Sequence, residues 1–124
     1  MAAERGVRGL TGLIGEGDEA AIAGVTVAEL LMGVGLADEH HRPRRESWVV
    51  GLLSVIDVED YDCDVARVHA DLMLRCRRMG HPRGPFDLMI AATAVARGRT
   101  LITLDARSVA DLPGVRVRVP DRAT

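Results

Sequence analysis

Residues 86–107, Phe86 to Arg107, read FDLMIAATAVARGRTLITLDAR, and this stretch decides the fold. From Leu88 to Ala96 almost every residue is apolar, and Ala91, Ala92, Ala94 and Ala96 are strong helix formers. A helix that is apolar on all sides is a buried one. Gly98 supplies the stop, and Arg97 and Arg99 lie where a helix C-terminus favours cations. Leu101-Ile102-Thr103 then reads as a short buried strand. The unit is helix, tight turn, strand, with an aspartate at each outer end: Asp87 before the helix and Asp105 after the strand. Carboxylates flanking the most hydrophobic part of a chain require a reason.

Working outward, 124 residues are enough for one domain with a real core. Apolar residues make up 48% and aromatics 2%, so that core is aliphatic. Helices alternating with short strands point to an α/β fold with a mostly parallel sheet. The net charge of −2 excludes binding of nucleic acid by bulk basicity. All 16 basic residues are arginine, and the chain has no lysine, asparagine or glutamine, a composition typical of GC-rich bacterial genomes. Cys63 and Cys76 match no C-x-x-C or zinc spacing and read as reduced thiols of a cytosolic protein. No apolar run approaches the roughly 20 residues of a membrane span, and no signal peptide opens the chain.

Val7–Glu16 reads as a short amphipathic helix and Gly15 to Asp18 as a turn. Ala20–Val25 is a buried strand, followed by a helix over TVAELLMGVGLA from Thr26. Thr26-x-x-Glu29 before an apolar run is a capping-box pattern. His40–Arg45 (HHRPRR) is a polar break before a helix over Glu46–Ser54, and Val55–Val58 is a strand. Asp62 or Asp64 caps the next helix, in which Val65, Val68, Leu72, Cys76 and Met79 recur at spacings of three and four. That helix ends at Gly80, and His69 falls on its surface. His81–Pro85 is a loop into Asp87. A short helix or turn runs from Asp105 to Leu112, Pro113-Gly114 turns, Val115–Val119 alternates as a final strand, and Pro120–Thr124 frays.

Taken singly, the acids are bland. Glu29 is the third residue of a capping box. Asp87 is an N-cap or first-turn carboxylate worth about 0.5–2 kcal/mol to its helix. Asp105 caps the segment after it. Together they say more. Glu29 and Asp105 each follow a buried strand within four residues, and in a parallel sheet the carboxyl ends of strands are where ligands bind. Asp87 opens the helix that feeds the last of these strands. Clustered like charges are costly unless a cation neutralises them. Hard oxygen ligands suit Mg²⁺ or Mn²⁺, which activate water and offset developing charge in phosphodiester hydrolysis. The four histidines form no metal spacing, and no P-loop, G-x-G-x-x-G or Ser/His/Asp arrangement occurs. Arginines at 42, 44, 45, 75, 77, 78 and 83 can grip phosphates, although a solvated face explains them as well.

The segments TVAELLMGV (Thr26–Val34), FDLMIAATAVARGRTLITLDAR and LPGVRV (Leu112–Val117) resemble the PIN-domain toxins of the VapC type, over about Val7 to Val119. The resemblance implies a three-layer PIN-like fold with a mostly parallel central sheet. It implies a Mg²⁺- or Mn²⁺-dependent endoribonuclease of the bacterial cytoplasm, a VapB-type antitoxin that blocks the site, and a homodimer. Glu29 falls on the family's second acid, Asp87 on the third and Asp105 on the fourth, all three as catalytic metal ligands. A frequent extra acid three positions further on is Ser108 here. Such toxins open with a strand ending in Asp-x-Ser or Asp-x-Thr, whose Asp is the first ligand. This chain begins MAAERG, which resembles the sequence just after that strand.

The expectation is therefore a single PIN-like domain, 1–124, truncated at its N-terminus, whose first and central strand is missing. Either the true start lies upstream or the gene is a decayed copy. Without that strand, Ala20–Val25 and Thr100–Thr103 lose a shared neighbour, at about 1–3 kcal/mol per buried unsatisfied group. Two other functions stay open: a catalytically impaired remnant that only binds an antitoxin or a homologue, and a small α/β domain whose acids are only caps.

Overall fold

The computed structural model describes residues 19–81, 83–103, 109 and 111–119. Their elements, in order, are β1 (Ala21–Ala23), α1 (Gly24–Leu36), α2 (Arg42–Val55), β2 (Asp57–Glu59), α3 (Cys63–Met79), α4 (Pro85–Ala96), β3 (Thr100–Ile102) and β4 (Arg116–Arg118). Both strand pairings are parallel: Ala21 to Ala23 with Asp57 to Glu59, and Thr100 to Ile102 with Arg116 to Arg118. Parallel pairing with helical crossovers is the expected α/β pattern. Among the described residues it takes the form of two separate two-stranded sheets. The chain divides into two compact units, one spanning Ala20–Tyr61 and the other holding Asp62 onward together with Glu19. The expected helix over Val7–Glu16, the turn to Asp18, residues 104–108 and 110 of the segment around and after Asp105, and the frayed end lie outside the described residues.

The second unit is built on the pair α3–α4. Val65, His69, Leu72 and Cys76 recur at four, three and four residues and form the buried stripe of α3. Leu88, Ala91 and Ala92 of α4 meet that stripe, with Val109 and Leu112 completing the cluster and Leu101, Val115 and Val117 packed against it. Alanines on α4 let the two helices approach closely, and α4 is buried along Leu88, Ala91, Ala92, Thr93 and Ala94, as its composition predicts. Two expectations for α3 are corrected. Met79 is exposed, because it falls past the stripe in the last turn, and His69 is buried, because it falls on it.

Local chemistry sets most of the ends. Asp62 is the N-cap of α3, its carboxylate accepting from the Val65 N–H at 3.0 Å. Gly80 closes the helix at φ 68°, with His81 N–H donating to Cys76 O and Gly80 N–H to Arg77 O. Gly98 closes α4 in the same way at φ 64°, through Arg99 N–H to Ala94 O and Gly98 N–H to Val95 O. Arg97 then reaches back to ion-pair with Asp62. The start of α3 and the end of α4 are thus joined, so the two helices run antiparallel, with the end of α3 and the start of α4 at the opposite extreme. Cys63 and Cys76 are free thiols, the first exposed and the second in the core.

The unit Ala20–Tyr61 corrects several boundaries. The strand ends at Ala23 rather than Val25, since its pairing stops at Glu59 and the helix begins at Gly24. Thr26 is therefore the third residue of α1, its N-cap is Ala23, and the expected Thr26–Glu29 capping box does not form. Helix α2 starts at Arg42, so HHRPRR is not a break. Pro43 sits in the first turn, where its missing N–H costs nothing, and Asp38 holds the preceding turn by accepting from the His41 N–H. The strand expected over Val55–Val58 is shifted to Asp57–Glu59. No residue of α1 is buried, and Leu31, Met32 and Leu36 on α1 and Val50 and Val55 on α2 are exposed.

Two predictions follow from the α3–α4 pair. Replacing Gly98 with alanine forces a Cβ into the left-handed region, and urea unfolding should show a loss of about 1–2 kcal/mol. Stability should also fall with acidification, in two steps. Burial lowers the pKa of His69 from its ordinary value of 6.5. The unfolded chain therefore takes up that proton first, and stability is lost as pH drops below about 6.5. The Arg97 guanidinium, then the Val65 N–H, hold the Asp62 carboxyl below its ordinary value of 3.8. The stability it contributes is present above that value and is lost as pH falls through it. Urea midpoints that hold steady on acidification from neutral pH would refute both assignments.

Candidate metal centre

Asp87 belongs to the first turn of α4, inside the helix rather than before it. Gly84 is the N-cap and Pro85 the first helical residue, where proline's fixed φ suits the helix and its missing N–H is no loss. The N-cap has no side-chain hydrogen bond, so Asp87 does not serve as a cap. The positive end of the helix dipole favours a carboxylate there. Asp87 folds back over Gly84: a Cβ added at Gly84 would stand 3.0 Å from Asp87 Oδ2. A Cβ there would press on the far end of that side chain, which must give by a few tenths of an ångström. The sequence analysis missed this role, and the signal was present in Gly84-Pro85 standing three residues ahead of an acid.

Glu29 lies in the second turn of α1 and is exposed. With no capping box formed, its local structural explanation is gone. Neither Glu29 nor Asp87 has a hydrogen-bond or ion-pair partner among the described residues. Asp105 and Ser108 lie outside the described residues. Among the described residues no three His, Cys, Asp or Glu side chains gather closely enough to hold a metal ion. What the chain offers on Asp87 and Glu29 is hard carboxylate oxygen, unpaired with any cation among the described residues, which is the donor chemistry Mg²⁺ and Mn²⁺ take. Among the described residues no helix is long and apolar enough to cross a membrane.

Residues 3–114 match the PIN domain family. The chain is 38% identical over 96 residues to the tRNA(fMet)-specific endonuclease VapC of Shigella flexneri, covering 77% of this chain and 70% of that one. Its structure is similar to that of a DNA-bound VapBC from Salmonella typhimurium, with a TM-score of 0.75 and 31% identity over 80% of this chain and 74% of that one. It is also similar to VapBC-5 of Mycobacterium tuberculosis, a member of the VapBC family of toxin–antitoxin systems, with a TM-score of 0.69 and 31% identity over 81% and 79% of the two chains. A carboxylate at the start of a buried helix, a parallel α/β frame and this degree of identity have one common explanation: the chain belongs to the PIN-domain family, among the VapC endonucleases.

Proposed function

We propose that this chain is the toxin of a type II toxin–antitoxin pair, an endoribonuclease that hydrolyses RNA phosphodiester bonds with Mg²⁺ or Mn²⁺ in the bacterial cytoplasm. The observation that carries the reading is Asp87, a carboxylate in the first turn of α4 with no partner among the described residues, in a chain 38% identical to a VapC endonuclease. Asp87, Glu29 and Asp105 would hold the metal ion, and its divalent charge would offset their mutual repulsion. When bound, such an ion supplies an activated water at neutral pH and offsets negative charge on the phosphodiester. The protein's own part is to fix the carboxylate: the closed first turn of α4 and the bare Cα of Gly84 determine where the Asp87 oxygens stand. The relatives named tRNA(fMet)-specific make a structured RNA the substrate class to test first.

A partner is supported by the apolar surface of α1 and α2. Leu36 is 77% exposed and Val55 82%, with Leu31, Met32 and Val50 also uncovered. Apolar surface gathered on neighbouring helices marks an interaction site, and in this reading a VapB-type antitoxin and a second copy of the chain are its occupants.

The purified chain should cleave RNA with Mg²⁺ and stop on addition of EDTA, and Asp87→Asn should lose about 100-fold or more of that activity. Equal cleavage by the wild type and Asp87→Asn would overturn the catalytic reading, and antitoxin binding without cleavage would favour the impaired remnant. Gly84→Ala tests the positioning of Asp87 separately. Its φ of −58° is open to alanine, so the helix should form as before by circular dichroism. The displaced carboxylate should move the Mg²⁺ dependence of cleavage to higher concentration, and an unchanged Mg²⁺ titration would rule this role out.

A further inference from the structure

Arg83 is one of the arginines whose charge suits a phosphate, yet its side chain is only 16% exposed. Its Nη2 donates to the carboxylate of Asp111, 28 residues away in sequence. Its Nε is buried and has no hydrogen-bond partner among the described residues. A guanidinium taken out of water with one N–H unmatched adds little to stability, because desolvation offsets most of the attraction. What such a pair supplies is a fixed register between the two segments it joins.

The segment at the Asp111 end is firmly seated. Val109 and Leu112, on either side of Asp111, are buried in the α3–α4 core. Leu112 N–H donates to Val109 O at 3.1 Å and Val115 N–H to Leu112 O at 3.3 Å, so the turn closes on its own backbone. Directly after Val115, β4 pairs with β3.

The segment at the Arg83 end has less to hold it. Gly84, the N-cap of α4, brings no side chain, and Pro85 brings no N–H. Burial of Leu88, Ala91 and Ala92 holds the body of α4, but Gly84 and Asp87 lie ahead of Leu88. Among the described residues, two polar contacts reach residues 81–84 from outside α4: His81 N–H to Cys76 O, which closes α3, and Arg83 to Asp111. The second therefore ties the entry of α4 to the rest of its unit. Asp87 lies back over Gly84, with 3.0 Å between its Oδ2 and a Cβ built there. The place of that carboxylate thus depends on the place of Gly84, and Gly84 follows directly on Arg83. Asp111 in turn stands in the segment that follows Asp105 in sequence, so one ion pair joins the two acid-bearing stretches of this unit.

Resting on the metal-dependent ribonuclease reading above, we propose that Arg83 and Asp111 are positioning residues for the metal site. Their ion pair clamps the entry of α4 to the turn before β4 and so fixes the Asp87 carboxylate where the ion is taken up. Arg83 then serves the site through the protein and not by holding substrate phosphates.

Equilibrium binding of Mn²⁺ to the full chain without RNA, followed by the electron paramagnetic resonance signal of the free ion, gives the test. Asp87→Asn should lose the binding. Arg83→Gln and Asp111→Asn should each raise the Kd for Mn²⁺ about tenfold, the effect expected of a group that orients a metal ligand. The double variant should be no weaker than either single one, because the two side chains act as a unit. Arg83→Lys keeps a charge that reaches Asp111 and should recover most of the affinity. Far-UV circular dichroism and urea midpoints score folding separately. Should Arg83→Gln fail to fold, Asp111→Asn carries the test, since Asp111 is 49% exposed and its replacement disturbs little packing. Unchanged Mn²⁺ affinity in Arg83→Gln and Asp111→Asn, beside its loss in Asp87→Asn, overturns the positioning role and leaves the metal reading standing. A roughly hundredfold loss in the double variant, the sum of two independent effects, overturns it as well. So does weaker binding of a short oligoribonucleotide in EDTA by Arg83→Gln with Mn²⁺ affinity intact, which would return Arg83 to the phosphates. Absence of Mn²⁺ binding by the wild type removes the ribonuclease reading itself, and this inference with it.

Discussion

The packing of α4 against α3 is the constraint on which the rest of this unit depends. Both helices contribute small or medium aliphatic side chains, and Val65 is the largest one fully buried. An aliphatic core of this kind gains its stability from close approach, and so the helices must hold one axial register. Asp62 sets that register from one extreme: the same carboxylate caps α3 and pairs with Arg97 at the end of α4. With that extreme fixed, the position of the other extreme follows. Asp87 and Phe86 stand at the same extreme as the end of α3 because only residues 80–84 join the two helices.

The parts of the fold legible in the sequence are those decided within a few residues. Gly80 and Gly98 stop their helices because the closing turn needs positive φ, and Asp62 caps because its side chain can reach the Val65 N–H. The parts that were not legible are decided by distant pairing. β1 ends where its partner strand ends, at the Ala23–Glu59 pair, and the helix begins there regardless of Thr26. Pro43 appears as a breaker by composition and proves to be a first-turn residue, since the same fixed φ that interrupts a helix also begins one. His69 shows the limit of residue type as a guide: a polar side chain at the right phase of a buried stripe goes inside with its neighbours.

The site divides along the same line. Asp87 stands out in the sequence because a lone acid opening an apolar helix is conspicuous, and the structure places it in the first turn of that helix. Glu29 carried, beside its reading as a ligand, a complete structural explanation in the local pattern Thr-x-x-Glu, and that capping box does not form. Losing that explanation makes the case for a chemical role stronger, since an exposed, unpartnered carboxylate is no longer required by its own helix. Gly84 was hidden within a loop, and only the 3.0 Å from a Cβ built there to Asp87 Oδ2 reveals how closely that carboxylate lies over it.

Charge separation at the α4 start completes the argument. Opposite charges at one end of a helix pair would ordinarily find each other. The connection through Gly84 and Pro85 prevents this by turning Asp87 back over its own N-cap, while α3 closes on backbone donors and leaves its arginines facing water.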